Sequence, residues 1–110
     1  MKGWLVIVLR RHASALYELT SSEFAELGVL LEKTASALYR ATGCEKEYVA
    51  CFSEAEHFDH VHFHIVAKSA ALPTELKGPA IFKMLKVSAE EAVPSNEIAA
   101  FCEEMQASFK

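Results

Sequence analysis

His60-Val61-His62-Phe63-His64-Ile65-Val66 sets three imidazoles in strict alternation with apolar residues. Side chains alternate across an extended strand, so His60, His62 and His64 are expected on one face and Val61, Phe63 and Ile65 on the other. The apolar set would pack beneath a helix, leaving the histidines in a row about 6.5–7 Å apart, two residues of strand rise. One histidine on a sheet is commonly structural, but three in alternation are not accounted for by packing alone. Imidazole titrates close to neutral pH, so such a row can offer nucleophile, donor and acceptor at once.

Two chemistries use a row of this kind. In one, the central imidazole attacks phosphorus and forms a covalent phosphoramidate while its neighbours fix its tautomer and hold phosphate oxygens. In the other, two or three imidazoles ligate zinc or another transition metal. Glu56, His57 and Asp59 lie near enough in sequence to complete a metal site, and spacing alone leaves both readings open.

Working outward, Glu47–Phe52 reads as the preceding strand, and the polar stretch Ser53–Asp59 is short enough to predict an antiparallel pair. Trp4–Leu9 is a continuous apolar run that predicts a strand covered on both faces. Between them, Thr20 and Glu23 have the spacing of a capping box, and Phe24, Leu27, Leu31, Ala35 and Leu38 recur at helical intervals. Thr42-Gly43 ends that helix after about five to six turns. Beyond Lys68 the pattern is interrupted at Pro73 and Gly78-Pro79; Ala80–Lys86 predicts a short helix. Pro94-Ser95 opens a last helix with Ile98, Phe101, Cys102, Met105 and Phe109 as its buried stripe. The expected fold is α+β, one domain over residues 1–110: an antiparallel sheet, one long helix packed on it and a C-terminal helical region.

Composition narrows the function classes. A chain of 110 residues, 52% hydrophobic and 24% charged, suits one globular core and not a disordered segment. A net charge of −4 argues against nucleic-acid binding through a general basic surface. Lys68, Lys77, Lys83 and Lys86 nevertheless follow the histidines against Glu75 alone, a local basic segment compatible with a phosphate-bearing small molecule. Cys44, Cys51 and Cys102 match no metal or redox spacing, and Cys51 reads as a buried small hydrophobe. Trp4–Leu9 is too short for a signal peptide or a membrane span, so a cytoplasmic protein without membrane contact is expected.

The stretch His60–Val66 resembles the signature of the histidine triad family, in which histidines alternate with apolar residues. Gly3–His12 is similar to that family's glycine-led strand ending in a basic residue and histidine. Leu16–Thr20 with its helix, Tyr48–Phe52, Lys77–Phe82 and Ile98–Glu103 resemble the remaining parts of small bacterial members. The resemblance implies that His62 attacks the α-phosphate of a nucleoside phosphate ester, anhydride or phosphoramidate, giving a nucleotidyl-histidine that water cleaves. His60 and His64 would flank it, and His12 matches the fourth histidine that backs the triad. It implies a small-molecule nucleotide substrate, no required cofactor and a homodimer of joined sheets.

Where the chain departs from the family, further expectations arise. The family carries a segment ahead of the first strand that is not matched here, so a partner subunit is expected to cover that edge, or else the nucleoside pocket is incomplete. Glu54–Asp59 stands where the family has glycine with an amide or hydroxyl residue, which makes His57 the candidate substitute donor. Lys68, where proline and arginine are common, and Arg11 at the strand end are further candidate phosphate ligands. Trp4 reads as core or dimer packing, with stacking on a base as the lesser alternative. The alternatives are a divalent metal on the histidine strand, or a catalytically silent module for nucleotide binding or assembly.

Overall fold

Thr20 opens the longest element with its own side chain. In the computed structural model, which describes residues 3–54, 59–86 and 95–108, Thr20 Oγ1 accepts the Glu23 N–H at 3.1 Å. The Glu23 carboxylate accepts the Thr20 N–H at 2.8 Å, completing the reciprocal cap anticipated from sequence. Helix α1 then runs Ser21–Thr42 and stops at Gly43, whose φ of +63° is left-handed and whose N–H donates to the Tyr39 carbonyl at 2.8 Å.

Arg11 reinforces this cap from the end of the first strand. Its Nε and Nη2 meet the two Glu23 carboxylate oxygens at 3.1 and 2.7 Å, and Nη2 also donates to the Glu18 carbonyl at 2.8 Å. The guanidinium first, then the Thr20 N–H, hold the Glu23 carboxyl at about 2 against an ordinary 4.5. A carboxyl depressed on folding contributes stability above its unfolded value and loses it as pH falls through the folded one. Thermal melts from neutral pH to pH 2 should therefore separate wild type from Glu23→Gln, with the gap fully open above about 4.5 and closing toward 2. A gap that stays constant across that window would assign the cap no titrating role.

Strands β1 (Trp4–Val8), β2 (Lys46–Ala50) and β3 (His62–Lys68) form an antiparallel sheet in the order β1-β3-β2. Register pairs Val8 with His62, Val6 with His64 and Trp4 with Val66 on one side of β3; on the other, Ala50 faces His64 and Tyr48 faces Val66. Directly opposed residues share a face, so Trp4, Val6, Val8, Tyr48 and Ala50 lie with His62 and His64. Leu5, Ile7, Phe63, Ile65 and Ala67 lie with α1. Gly3 leads β1 at φ +88°, its carbonyl accepting the Ala67 N–H at 2.8 Å. A Cβ there would stand 3.0 Å from Ala67 Cβ, so this approach admits glycine.

The core on the α1 side comprises Ala37, Leu38, Cys44, Ile65, Ala67, Phe101 and Met105, with Leu5, Ile7, Leu31 and Ala41 packed against it. Helix α2 (Ser95–Ser108) supplies Phe101 and Met105, four residues apart on one face. The buried stripe is narrower than the sequence pattern implied: Ile98 is half exposed, Cys102 is exposed, and Phe109 lies outside the described residues. In α1, too, full burial is confined to Thr34, Ala37 and Leu38, while Phe24 is exposed. At 22 residues, α1 is roughly 33 Å long, and the seven residues of β3 span roughly 23 Å. The sheet is thus too short to cover the whole helical stripe.

Two strand expectations need correction. β1 is an edge strand among the described residues, and Val6 and Val8 are 47% and 57% exposed. Its apolar run reflects one covered face and one open one. β2 ends at Ala50, so Cys51 lies beyond it, half-buried, with Sγ 3.4 Å from Ser53 Oγ. The helical segment anticipated at Ala80–Lys86 is a 3-10 helix, Gly78–Lys86. Tyr48 Oη accepts the Gly78 N–H at 3.0 Å, which ties the start of this helix to the histidine face of the sheet. Among the described residues no helix is long and apolar enough to cross a membrane.

Candidate active site on the histidine face

β3 begins at His62, one residue after the buried Val61, which pairs its backbone with Leu9 and Ala13. That start breaks the predicted row of three. His62 and His64 stand edge to face with ring centroids 5.0 Å apart, closer than bare strand rise because the rings lean together. His60 sits ahead of the strand, its ring stacked on His12 at 5.4 Å. Its Nε2 donates to the Leu9 carbonyl in a very short contact, and its Nδ1 accepts the Ala13 N–H at 3.4 Å. Both ring nitrogens of His60 are therefore committed to backbone.

The main chain of His60 does something its ring does not. Its carbonyl lies 2.7 Å from His62 Nδ1. A carbonyl can only accept, so Nδ1 carries the proton and the neutral ring of His62 keeps its lone pair on Nε2. His64 is set the other way. The Trp4 indole Nε1–H donates to His64 Nδ1 at 3.0 Å, so its proton resides on Nε2. Burial, then the neighbouring His62, lowers the His64 pKa from its ordinary value. The burial is aromatic: Phe82 of the 3-10 helix meets His64 edge-on at 5.0 Å and Trp4 at 5.2 Å, with Phe52 a further 5.5 Å from Phe82. The face thus holds one nitrogen able to attack and one N–H able to donate, side by side.

Over 96% of its length this chain superposes on 73% of a histidine triad (HIT) protein from Sinorhizobium meliloti 1021, with a TM-score of 0.77 and 24% identity. A histidine triad protein from Bradyrhizobium japonicum gives 0.78 at 21% identity over 97% of this chain and 75% of that one. The chain has the histidine triad fold. A Hit-like protein involved in cell-cycle regulation from Bartonella henselae, solved with an unknown ligand, is more distant at 0.64 and 14% identity, covering 96% and 70%. No protein-family model matches the sequence, and no curated protein matches it.

Within this histidine triad fold the other candidates fall in three places. His12 joins His60 beside the triad strand. Lys68 is buried at the far end of β3, roughly 20 Å of strand from His62, with Nζ 2.6 Å from Glu45 Oε2. Arg11 is occupied by the α1 cap. The structure brings neither cation to the imidazole pair, because strand direction carries Lys68 away and Glu23 captures Arg11. His57 lies outside the described residues. Among the described residues no cluster of three His, Cys, Asp or Glu side chains is arranged to hold a metal ion.

A cavity of about 360 Å³ opens on the other side of β1, lined by Ile7, Leu9, Leu19, Leu27, Leu30 and Phe63. Val8 also lines it, but His62 and His64 do not. Trp4, Phe52 and Phe82 lie in stretches that resemble the family, yet none was expected as a site residue. The only local sign was phase: Trp4 shares the strand parity of Val6, the partner of His64.

Proposed function

We propose that this chain is a nucleotide-phosphate hydrolase or nucleotidyl transferase in which His62 Nε2 is the nucleophile. The observation that carries the reading is the 2.7 Å contact between His62 Nδ1 and the His60 carbonyl, which leaves the Nε2 lone pair available. In the first step Nε2 attacks the α-phosphorus, a P–N bond forms and the bond to the leaving group breaks. His64 donates its Nε2–H to a non-bridging oxygen, where negative charge grows in the transition state. The imidazole, still protonated at Nδ1, becomes cationic on phosphorylation, and the His60 carbonyl stabilises that charge.

The same cation is a good leaving group in the second step. Water adds to phosphorus and gives up a proton to solvent, the P–N bond breaks, and a nucleoside monophosphate departs while the ring regains its lone pair. Splitting the displacement in two lets neutral imidazole act where water alone reacts slowly. Val6 and Val8, exposed beside the two histidines, offer an apolar flank suited to a nucleoside ring. No metal is required by this chemistry.

Intact-protein mass spectrometry after brief incubation with an adenosine phosphoramidate or a diadenosine polyphosphate, with chelator present, tests the proposal. An acid-labile nucleotidyl adduct is expected, localised by fragmentation to His62. An adduct on another residue would reassign the nucleophile. Absence of adduct and product from folded protein, with activity appearing only on metal addition, would overturn the reading in favour of a metal site.

A further inference from the structure

We propose that Trp4 is a positioning residue: its indole N–H, given to His64 Nδ1, locks His64 as the Nε2–H tautomer, so that a substrate meets one acceptor and one donor. An indole nitrogen donates and never accepts, so the 3.0 Å contact has one polarity only. Neutral imidazole exchanges tautomers at little cost, and without a fixed partner His64 would divide its proton between both nitrogens. With Nδ1 protonated, its Nε2 would turn a lone pair toward the phosphate oxygens it should assist.

The geometry is secured from several sides. Trp4 and His64 are diagonal neighbours across β1 and β3, within reach of a large ring. Gly3, held by Ala67, fixes the backbone immediately ahead of Trp4. Phe82 packs edge-on against both rings, which restrains the indole beside His64. Among the described residues, the titratable group facing His64 is His62, with Val6, Ala50, Trp4 and Phe82 completing its surroundings. Protonation of His64 at Nδ1 would set two N–H groups against each other. The indole therefore opposes it in the same direction as burial does.

The inference leans on the proposed hydrolase only for its catalytic consequence, since the tautomer itself can be read without turnover. Long-range proton–nitrogen correlation spectra of ¹⁵N-labelled protein should show His64 as a single tautomer with Nδ1 unprotonated. A trans-hydrogen-bond coupling between Trp4 Nε1 and His64 Nδ1 should be visible in the wild type, which needs no variant to fold. In Trp4→Phe, His64 should populate both tautomers and titrate at higher pH, while His62 keeps its Nδ1–H. Adduct formation should slow by about tenfold, the worth of one hydrogen bond. Wild-type protein lacking the coupling, or a folded Trp4→Phe with unchanged tautomer and midpoint, would overturn the proposal. The coupling present with no adduct on any substrate would sink the hydrolase and leave Trp4's role standing; adduct without coupling would do the reverse.

Discussion

Replacing His62 with alanine is expected to lower turnover by roughly four orders of magnitude or more, as loss of a covalent nucleophile does. His64→Ala should cost less, about 10²–10³-fold, the scale of one charge-stabilising donor. The order follows from what each ring offers. In the proposed reaction His62 contributes the lone pair that forms the bond, whereas His64 contributes an N–H to a charge that other donors and water still partly meet. Single-turnover rates with purified, folded variants in chelator decide the matter. A His62→Ala rate within tenfold of wild type, or a larger loss at His64, would place the nucleophile elsewhere. His62→Asn serves as the companion variant, since its amide can keep a donor toward the His60 carbonyl while lacking a nucleophilic nitrogen.

The largest effect on stability is expected at Leu38→Ala. Leu38 is 0% exposed and lies in the core with Ile65, Phe101 and Met105, where α1, β3 and α2 converge. Truncating a fully buried leucine removes its transfer free energy and leaves a cavity, costing about 2–5 kcal/mol. For a chain of this size that lowers the melting temperature by roughly 10 °C or more. Val29→Ala, on the exposed side of the same helix at 52%, should change stability by less than about 0.5 kcal/mol. Chemical denaturation of the pair measures the contrast. Equal, small effects would mean that α1 does not anchor the sheet. Ile65 sits between His64 and Val66, so the core being tested is the reverse side of the strand that carries the imidazoles.

How far the fold could be read from sequence follows the range of the forces involved. The α1 cap depends on Thr20, Glu23 and Gly43, each acting within a few residues, and the helix ends where they stand. The antiparallel pairing of β2 with β3 was implied by the short connection between them. The triad strand itself was legible from alternation. His60 was not, because its position depends on where pairing with β1 gives way to the backbone contacts of Leu9 and Ala13. Lys68 could be placed on the strand, yet its burial against Glu45 depends on packing around the strand end. Trp4 was the hardest to foresee. Its contact with His64 joins residues 60 positions apart through a register that no local pattern encodes.

The two imidazoles differ in how their protonation could be inherited. His62 is oriented by a peptide carbonyl, an atom that every amino acid at position 60 would supply. His64 is oriented by an indole, which only tryptophan supplies. Drift in the coding sequence can therefore erase the orientation of His64 with one codon change at position 4, whereas the acceptor that orients His62 is lost only if the backbone itself moves.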